Sequence, residues 1–251
     1  MAAEGRSPRP CPRVDITGIA RATWKQLSGG HAQHPGTRRP TCHHAVDSLI
    51  DDLATIVRLA GQLMTNASVA LHQADLKCAE LVISDADAMK ARCKDTDQRC
   101  LDLLVLPAPV TTDLRMVVVA LHVVKDLQRM CHLAQHVAEI ARLKHPAEPI
   151  PADVRPASLR MSVLASSLAE DAAAAIESRD PISAARLAHI DAEVDSLRRR
   201  IFQILFSDNW SHGVEPAVDA ALVGRYYERF ADHAVAIARQ VTVVVTGATT
   251  R

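Results

Sequence analysis

An all-α chain of two tandem, antiparallel three-helix bundles is what this sequence predicts, and three observations predict it. Apolar residues fill 48% of the 251 positions but aromatics only 3%. Ala, Leu and Val supply most of the apolar mass, a mixture that suits closely packed helices better than sheets. From about residue 44 onward apolar side chains recur with the helical period, and no strand-like alternation or hairpin dipeptide interrupts them. Finally, three long helical stretches, a proline-rich break and three more form an internal repeat of about a hundred residues. Aligning Gln128 with Glu228 also aligns Val137-Ala138 with Ile237-Ala238.

Each element has its own warrant. In helix one, Leu49, Ile50, Leu53, Ile56, Val57, Ala60, Leu63 and Met64 fall on one side of a 3.6-residue period. Helix two runs from about Asp75 to Leu104 with Leu81, Met89, Cys93 and Leu101 facing inward. Pro107-Ala108-Pro109 stops it, because proline has no amide proton to continue the ladder. Thr111-Thr112-Asp113 offers capping oxygens to helix three, which reaches about Lys144. His145-Pro146 and Pro149-Ile150-Pro151 make a stiff linker. Helix four spans about Asp153 to Glu177 and starts properly only after Pro156. Asp180-Pro181 sets a capping side chain and a first-turn proline before helix five, which ends near Phe206. After a polar turn from Ser207 to Glu215, Pro216 and Gly247 bracket helix six. Gly224 inside it costs about 1 kcal/mol against Ala, so a close helix contact is expected there. The domain organisation that follows is a tail over 1–43, a first bundle over 44–146 and a second over 147–251.

The tail is rich in Arg, Pro, Gly and Ser, with seven basic residues to two acidic, and is expected to be a disordered leader. Its first 25 residues lack the apolar core of a signal peptide. The longest apolar run, Met116 to Val124, contains His122 and falls far short of the roughly 20 residues that span a bilayer. No transmembrane segment is predicted, and any membrane work goes through a partner. A net charge of zero argues against a nucleic-acid partner. Cys11, Cys42, Cys78, Cys93, Cys100 and Cys131 form no C-x-x-C pair and no zinc-finger spacing. They read as reduced, cytosolic thiols packing as small apolar residues.

Catalytic signatures are missing: there is no nucleophile elbow, phosphate-binding glycine loop or H-E-x-x-H. What stands out is Glu228-Arg229-Phe230-Ala231-Asp232 and its worn copy Gln128-Arg129-Met130-Cys131-His132. Glu228 and Asp232 lie four apart, so both carboxylates share one helix face, a repulsive arrangement unless a positive group compensates. Helix five adds Asp191 and Asp195 at the same spacing, helix three adds Asp126, and helix two adds Asp85. Converging, these acids would suit hard or borderline cations such as magnesium, manganese or iron. In the first copy Gln128 is a weak neutral ligand and His132 a good one for iron, zinc or nickel. We read that copy as a site lost rather than converted. Taken alone, the residues leave open a metal-dependent helical enzyme or a purely structural bundle whose acids are a wet surface.

A duplicated three-helix unit with E-R-[apolar]-[small]-D on its third helix resembles the PhoU family. The resemblance covers about residues 44 to 247. Pro109-Val110-Thr111-Thr112-Asp113-Leu114-Arg115 resembles the family's entry to helix three, and Ala74-Asp75-Leu76 with Val82-Ile83-Ser84-Asp85 its second helix. Trp210-Ser211-His212-Gly213-Val214 and the run from Gly224 to Val235 are similar to the actinobacterial branch. The resemblance implies a non-enzymatic cytoplasmic regulator of phosphate uptake, a homodimer acting on the phosphate ABC transporter and a sensor histidine kinase. It also implies metal (iron, manganese, magnesium, zinc or nickel) held by Glu228 and Asp232, with Asp191 and Asp195 in support and Asp126 matching an acidic position of the first repeat. Gln128, Cys131 and His132 depart from the family's Glu, Gly and Asp.

Overall fold

The computed structural model describes residues 42–105, 111–180, 182 and 184–246. The basic tail up to residue 41, Pro107-Ala108-Pro109, Pro181 and Gly247 lie outside the described residues. Among the described residues every regular element is a helix: α1 Cys42–Gln73, α2 Leu76–Leu104, α3 Thr111–Lys144, α4 Arg155–Ser178, α5 Ala184–Leu205 and α6 Val214–Thr246.

The helix starts follow from local chemistry. Ala74 takes a positive φ of 49° to turn the chain out of α1. Asp75 then caps α2, its side chain accepting the Cys78 amide at 3.0 Å. Helix α4 begins at Arg155, between the expected bounds of Asp153 and Pro156, because Pro156 sits in the first turn where its missing amide proton is not needed. Gly213 adopts φ +86° just before α6, and its carbonyl accepts the Trp210 indole at 2.8 Å. That turn starts α6 at Val214, two residues before Pro216.

Helices α1, α3, α6 and α4 each pack on the next in a closed square, while α2 leans on α1 and α3, and α5 on α4 and α6. The two three-helix bundles therefore share one continuous apolar core. Leu101, expected inward, is 44% exposed, and Leu103 takes the buried position on that turn. A second correction concerns the thiols. Cys78 is disulfide-bonded, whereas Cys93, Cys100 and Cys131 are free and buried. Spacing along a chain does not reveal a sulfur pair made by tertiary packing.

The seam between bundles is closest where α1 crosses α4. A Cβ built on Gly61 would stand 2.9 Å from the Cβ of Ala169. Beside it the Thr65 hydroxyl donates to Ser166 Oγ at 2.9 Å, and outside it Arg58 grips Glu170 and Glu177 at 2.9 and 2.8 Å. At Gly224 the corresponding neighbour is the tip of Ile201, 3.3 Å away, so the expected close contact is present but softer. Deeper in the seam Ser68 donates to the Met64 carbonyl at 2.9 Å and meets the Tyr227 hydroxyl of α6 at 2.8 Å. His72 shares a 3.2 Å hydrogen bond with Ser158 of α4. Burial, and then the charge of Arg155, pushes the His72 imidazole down to about 4.

Two outcomes follow from this seam. Gly61→Leu should lower the stability measured by urea unfolding by about 1–3 kcal/mol through overpacking. Gly61→Ala should be partly relieved by Ala169→Gly, because both changes act on the same contact. For His72, the unfolded imidazole binds a proton below its ordinary value of 6.5 but the folded one only near 4. Stability should therefore fall as pH drops through that window, by on the order of 2–3 kcal/mol, and His72→Gln should flatten the dependence.

Candidate functional site

The carboxylates of the second repeat gather where α5 lies along α6. Glu228 is only 8% exposed, and its Oε2 meets Arg225 of the preceding turn at 2.7 Å and Arg198 of α5 at 3.2 Å. Arg198 also stands over the Phe202 ring, 5.7 Å from its centroid. One turn beyond Glu228, Asp232 lies exposed on α6. Although the residue is exposed overall, partial desolvation of its carboxyl by the neighbouring helix raises it above the usual value, and the charges of Glu228 and Asp191 raise it further, while Arg229 and Arg225 oppose the shift. Asp191, Glu228 and Asp232 thus form one electrostatic cluster. Asp195 is exposed on α5, one turn after Asp191. Glu193, between them, reaches Arg160 of α4 at 2.7 Å instead.

The other acids expected at the site go elsewhere. Asp126 turns from α3 to α6, where it accepts from His233 Nδ1 at 2.9 Å and from Gln240 at 3.3 Å. It serves the junction of the bundles. Asp85 is half-buried on α2, and Gln128 is half-buried on α3. His132 is exposed on α3, its ring parallel to that of His136 one turn on. Cys131 is fully buried, and its thiol is held well above the usual range by Cys93 and by burial. It points into the core and away from His132.

Carboxylate oxygens are the donors that hard cations take, and positive charge would relieve a carboxylate whose ionisation is opposed. The guanidiniums of Arg198 and Arg225 hold Glu228 in this arrangement. Among the described residues no three His, Cys, Asp or Glu side chains stand close enough together to hold an ion. Arg225 is legible from its position three residues before Glu228. Arg198 is not, because only the packing of α5 on α6 brings it there.

A protein-family model described as the PhoU domain matches the chain twice, over residues 53–141 and 159–241. The chain belongs to the PhoU family. The two PhoU matches correspond to the two bundles, α1–α3 and α4–α6. A phosphate-specific transport system accessory protein, PhoU homolog 2 of Mycobacterium tuberculosis, is 41% identical over 210 residues, covering 84% of this chain and 99% of the relative. PhoU homolog 1 of Mycobacterium leprae is 41% identical over 209 residues, covering 83% and 94%. The fold matches the phosphate transport system regulatory protein PhoU of Streptococcus pneumoniae with a TM-score of 0.71 at 23% identity, covering 84% of this chain and all of that one. PhoU from Pseudomonas aeruginosa gives 0.69 at 22% identity, covering 82% and 98%.

The cluster makes a checkable claim about charge. The raised carboxyl of Asp232 means its ionisation costs the folded state stability at neutral pH. Asp232→Asn should raise the urea midpoint at pH 7. That gain should shrink as pH falls through the carboxylate range, where the native acid takes up a proton.

Proposed function

We propose that this chain regulates phosphate uptake and phosphate-starvation signalling as a non-enzymatic adaptor. It works in the cytoplasm, as a homodimer, at the inner face of the membrane. Its partners are the phosphate ABC transporter and a sensor histidine kinase. The observation that carries this reading is the 41% identity to a phosphate-specific transport system accessory protein across 99% of that relative's length. Likeness over both repeats supports a shared role better than a match to one half would. No helix among the described residues is long and apolar enough to cross a membrane, which suits work through partners.

In this reading Glu228 and Asp232, with Asp191 and Asp195, hold a metal ion. Iron, manganese, magnesium, zinc and nickel are all compatible with oxygen donors of this kind. The ion supplies positive charge to the α5–α6 face. The residues themselves set the shape of that face: Glu228 draws Arg198 and Arg225 inward, and Asp232 keeps a carboxyl at its edge.

Deletion of the coding sequence in its native host tests the role. In phosphate-rich medium, phosphate uptake and starvation-gene expression should both rise. The wild-type chain should restore repression, and the Glu228→Ala, Asp232→Ala chain should restore it incompletely. Removing the sensor kinase as well should abolish the rise in gene expression. Repression unchanged by the deletion would overturn the proposal.

A further inference from the structure

Of the six cysteines, Cys93, Cys100 and Cys131 are free and Cys78 is disulfide-bonded, which leaves Cys11 and Cys42 as its partners within the chain. Cys78 is fully buried in the first turn of α2, with its Sγ 3.4 Å from the Asn66 carbonyl of α1. Helix α1 runs unbroken from Cys42, and Asn66 lies more than six turns along it, roughly 36 Å away. A disulfide needs Cα atoms within about 7 Å of each other, so Cys42 is out of reach. We propose that Cys11 is the partner, and that Cys11 and Cys78 form a reversible oxidation site that clips the basic tail to the head of α2. Such a site is independent of the regulatory role proposed above and of the carboxylate cluster on α5 and α6.

The tail has the reach and the charge for this contact. Thirty residues separate Cys11 from Cys42, and at about 3.3 Å each an extended stretch of that length covers roughly 100 Å. Cys11 sits in the basic pentapeptide Arg9-Pro10-Cys11-Pro12-Arg13, which the acidic motif does not account for. Over residues 75–87 the cap and opening turns of α2 carry the opposite charge, Asp75, Glu80, Asp85 and Asp87 against one base, Lys77. Attraction between the two segments favours the encounter of the two sulfurs.

The chemistry divides between the two residues. Nearby guanidiniums favour the thiolate, the form that attacks an oxidant, so Arg9 and Arg13 make Cys11 the first to react. Core thiols are set the other way: burial and then Asp97 push Cys100 up to about 12, and Cys93 and burial hold Cys131 well above the usual range. With hydrogen peroxide as the oxidant, the Cys11 thiolate takes one oxygen as the O–O bond breaks. Hydroxide leaves and picks up the thiol proton as water. The Cys78 sulfur then attacks the sulfenic sulfur; the S–S bond forms, the S–O bond breaks and a second water leaves. A dithiol reductant reverses the bridge by thiol–disulfide exchange and ends as a disulfide itself. In a glutathione-buffered compartment the pair is therefore reduced at rest and bridged when peroxide rises. Oxidation fixes the chain at residue 11 to the corner between α1 and α2, and reduction releases it.

Peptide mapping of the full-length chain tests the site. The protein is reduced with dithiothreitol, desalted, exposed to hydrogen peroxide, blocked with N-ethylmaleimide in urea and digested without reduction. Mass spectrometry should find the Cys11 peptide joined to the Cys78 peptide, with Cys42, Cys93, Cys100 and Cys131 carrying maleimide. A second dithiothreitol treatment should separate the pair. Cys11→Ser, which leaves the helical body untouched, and Cys78→Ala should each abolish the linked peptide, and Cys42→Ser should keep it. Circular dichroism of the reduced variants should match the wild type. A Cys42–Cys78 peptide, a disulfide-linked dimer on a non-reducing gel that Cys11→Ser or Cys78→Ala removes, or maleimide on both Cys11 and Cys78 after peroxide would overturn the proposal.

Discussion

Gly61 and Ala169 bring the backbones of α1 and α4 nearer than ordinary side chains allow, and the rest of the molecule is arranged around that approach. With the two helices in near backbone contact, the apolar faces of both bundles merge into one core, so neither bundle needs a closed surface of its own. Burying such a seam traps polar groups, and the chain satisfies most of them in pairs. Ser68 meets Tyr227, and Ser158 meets His72. Each pair links helices of different repeats, so the same residues that remove a desolvation cost also fix the register of one bundle on the other.

Electrostatics at the surface follow the same logic of compensation. Glu228 is buried among helices and stands between two guanidiniums, whereas Asp232 is left at the edge with its ionisation opposed. A buried carboxylate without partners would cost several kcal/mol. Arg198 and Arg225 remove that cost for Glu228, and the residual strain collects on Asp232. The acidic motif thus divides its two carboxylates between a buried, paired position and an edge where ionisation is opposed.

Much of this was legible in the sequence. Apolar periodicity located all six helices, since a buried stripe repeats with the helix itself, and duplication of the motif exposed the two-bundle plan. The shared helix face of Glu228 and Asp232 was legible from their spacing, whereas the nearness of the Asp191 charge needed the packing of α5 on α6. The partners of Asp126, His233 and Gln240, could not be read from the sequence because they lie more than a hundred residues away in the chain. Arg198, the Cys78 disulfide and the stacking of His136 on Tyr226 were hidden for the same reason: each depends on tertiary contact, with no local period to announce it. Gly61 was hidden more quietly. A glycine inside a strong helical pattern reads as a weak spot until its neighbour is known.

Duplication built this molecule nearly alike in its two halves, with α3 and α6 running antiparallel side by side, as the pairs Asp126–His233 and His136–Tyr226 require. Divergence then gave the two helices different chemistry at the same level of the fold, aromatic nitrogen along one and carboxylate oxygen along the other. A body of duplicated plan whose two adjacent long helices carry unlike donors presents two distinguishable edges to whatever it meets. Anything gripping both helices can tell its two orientations apart.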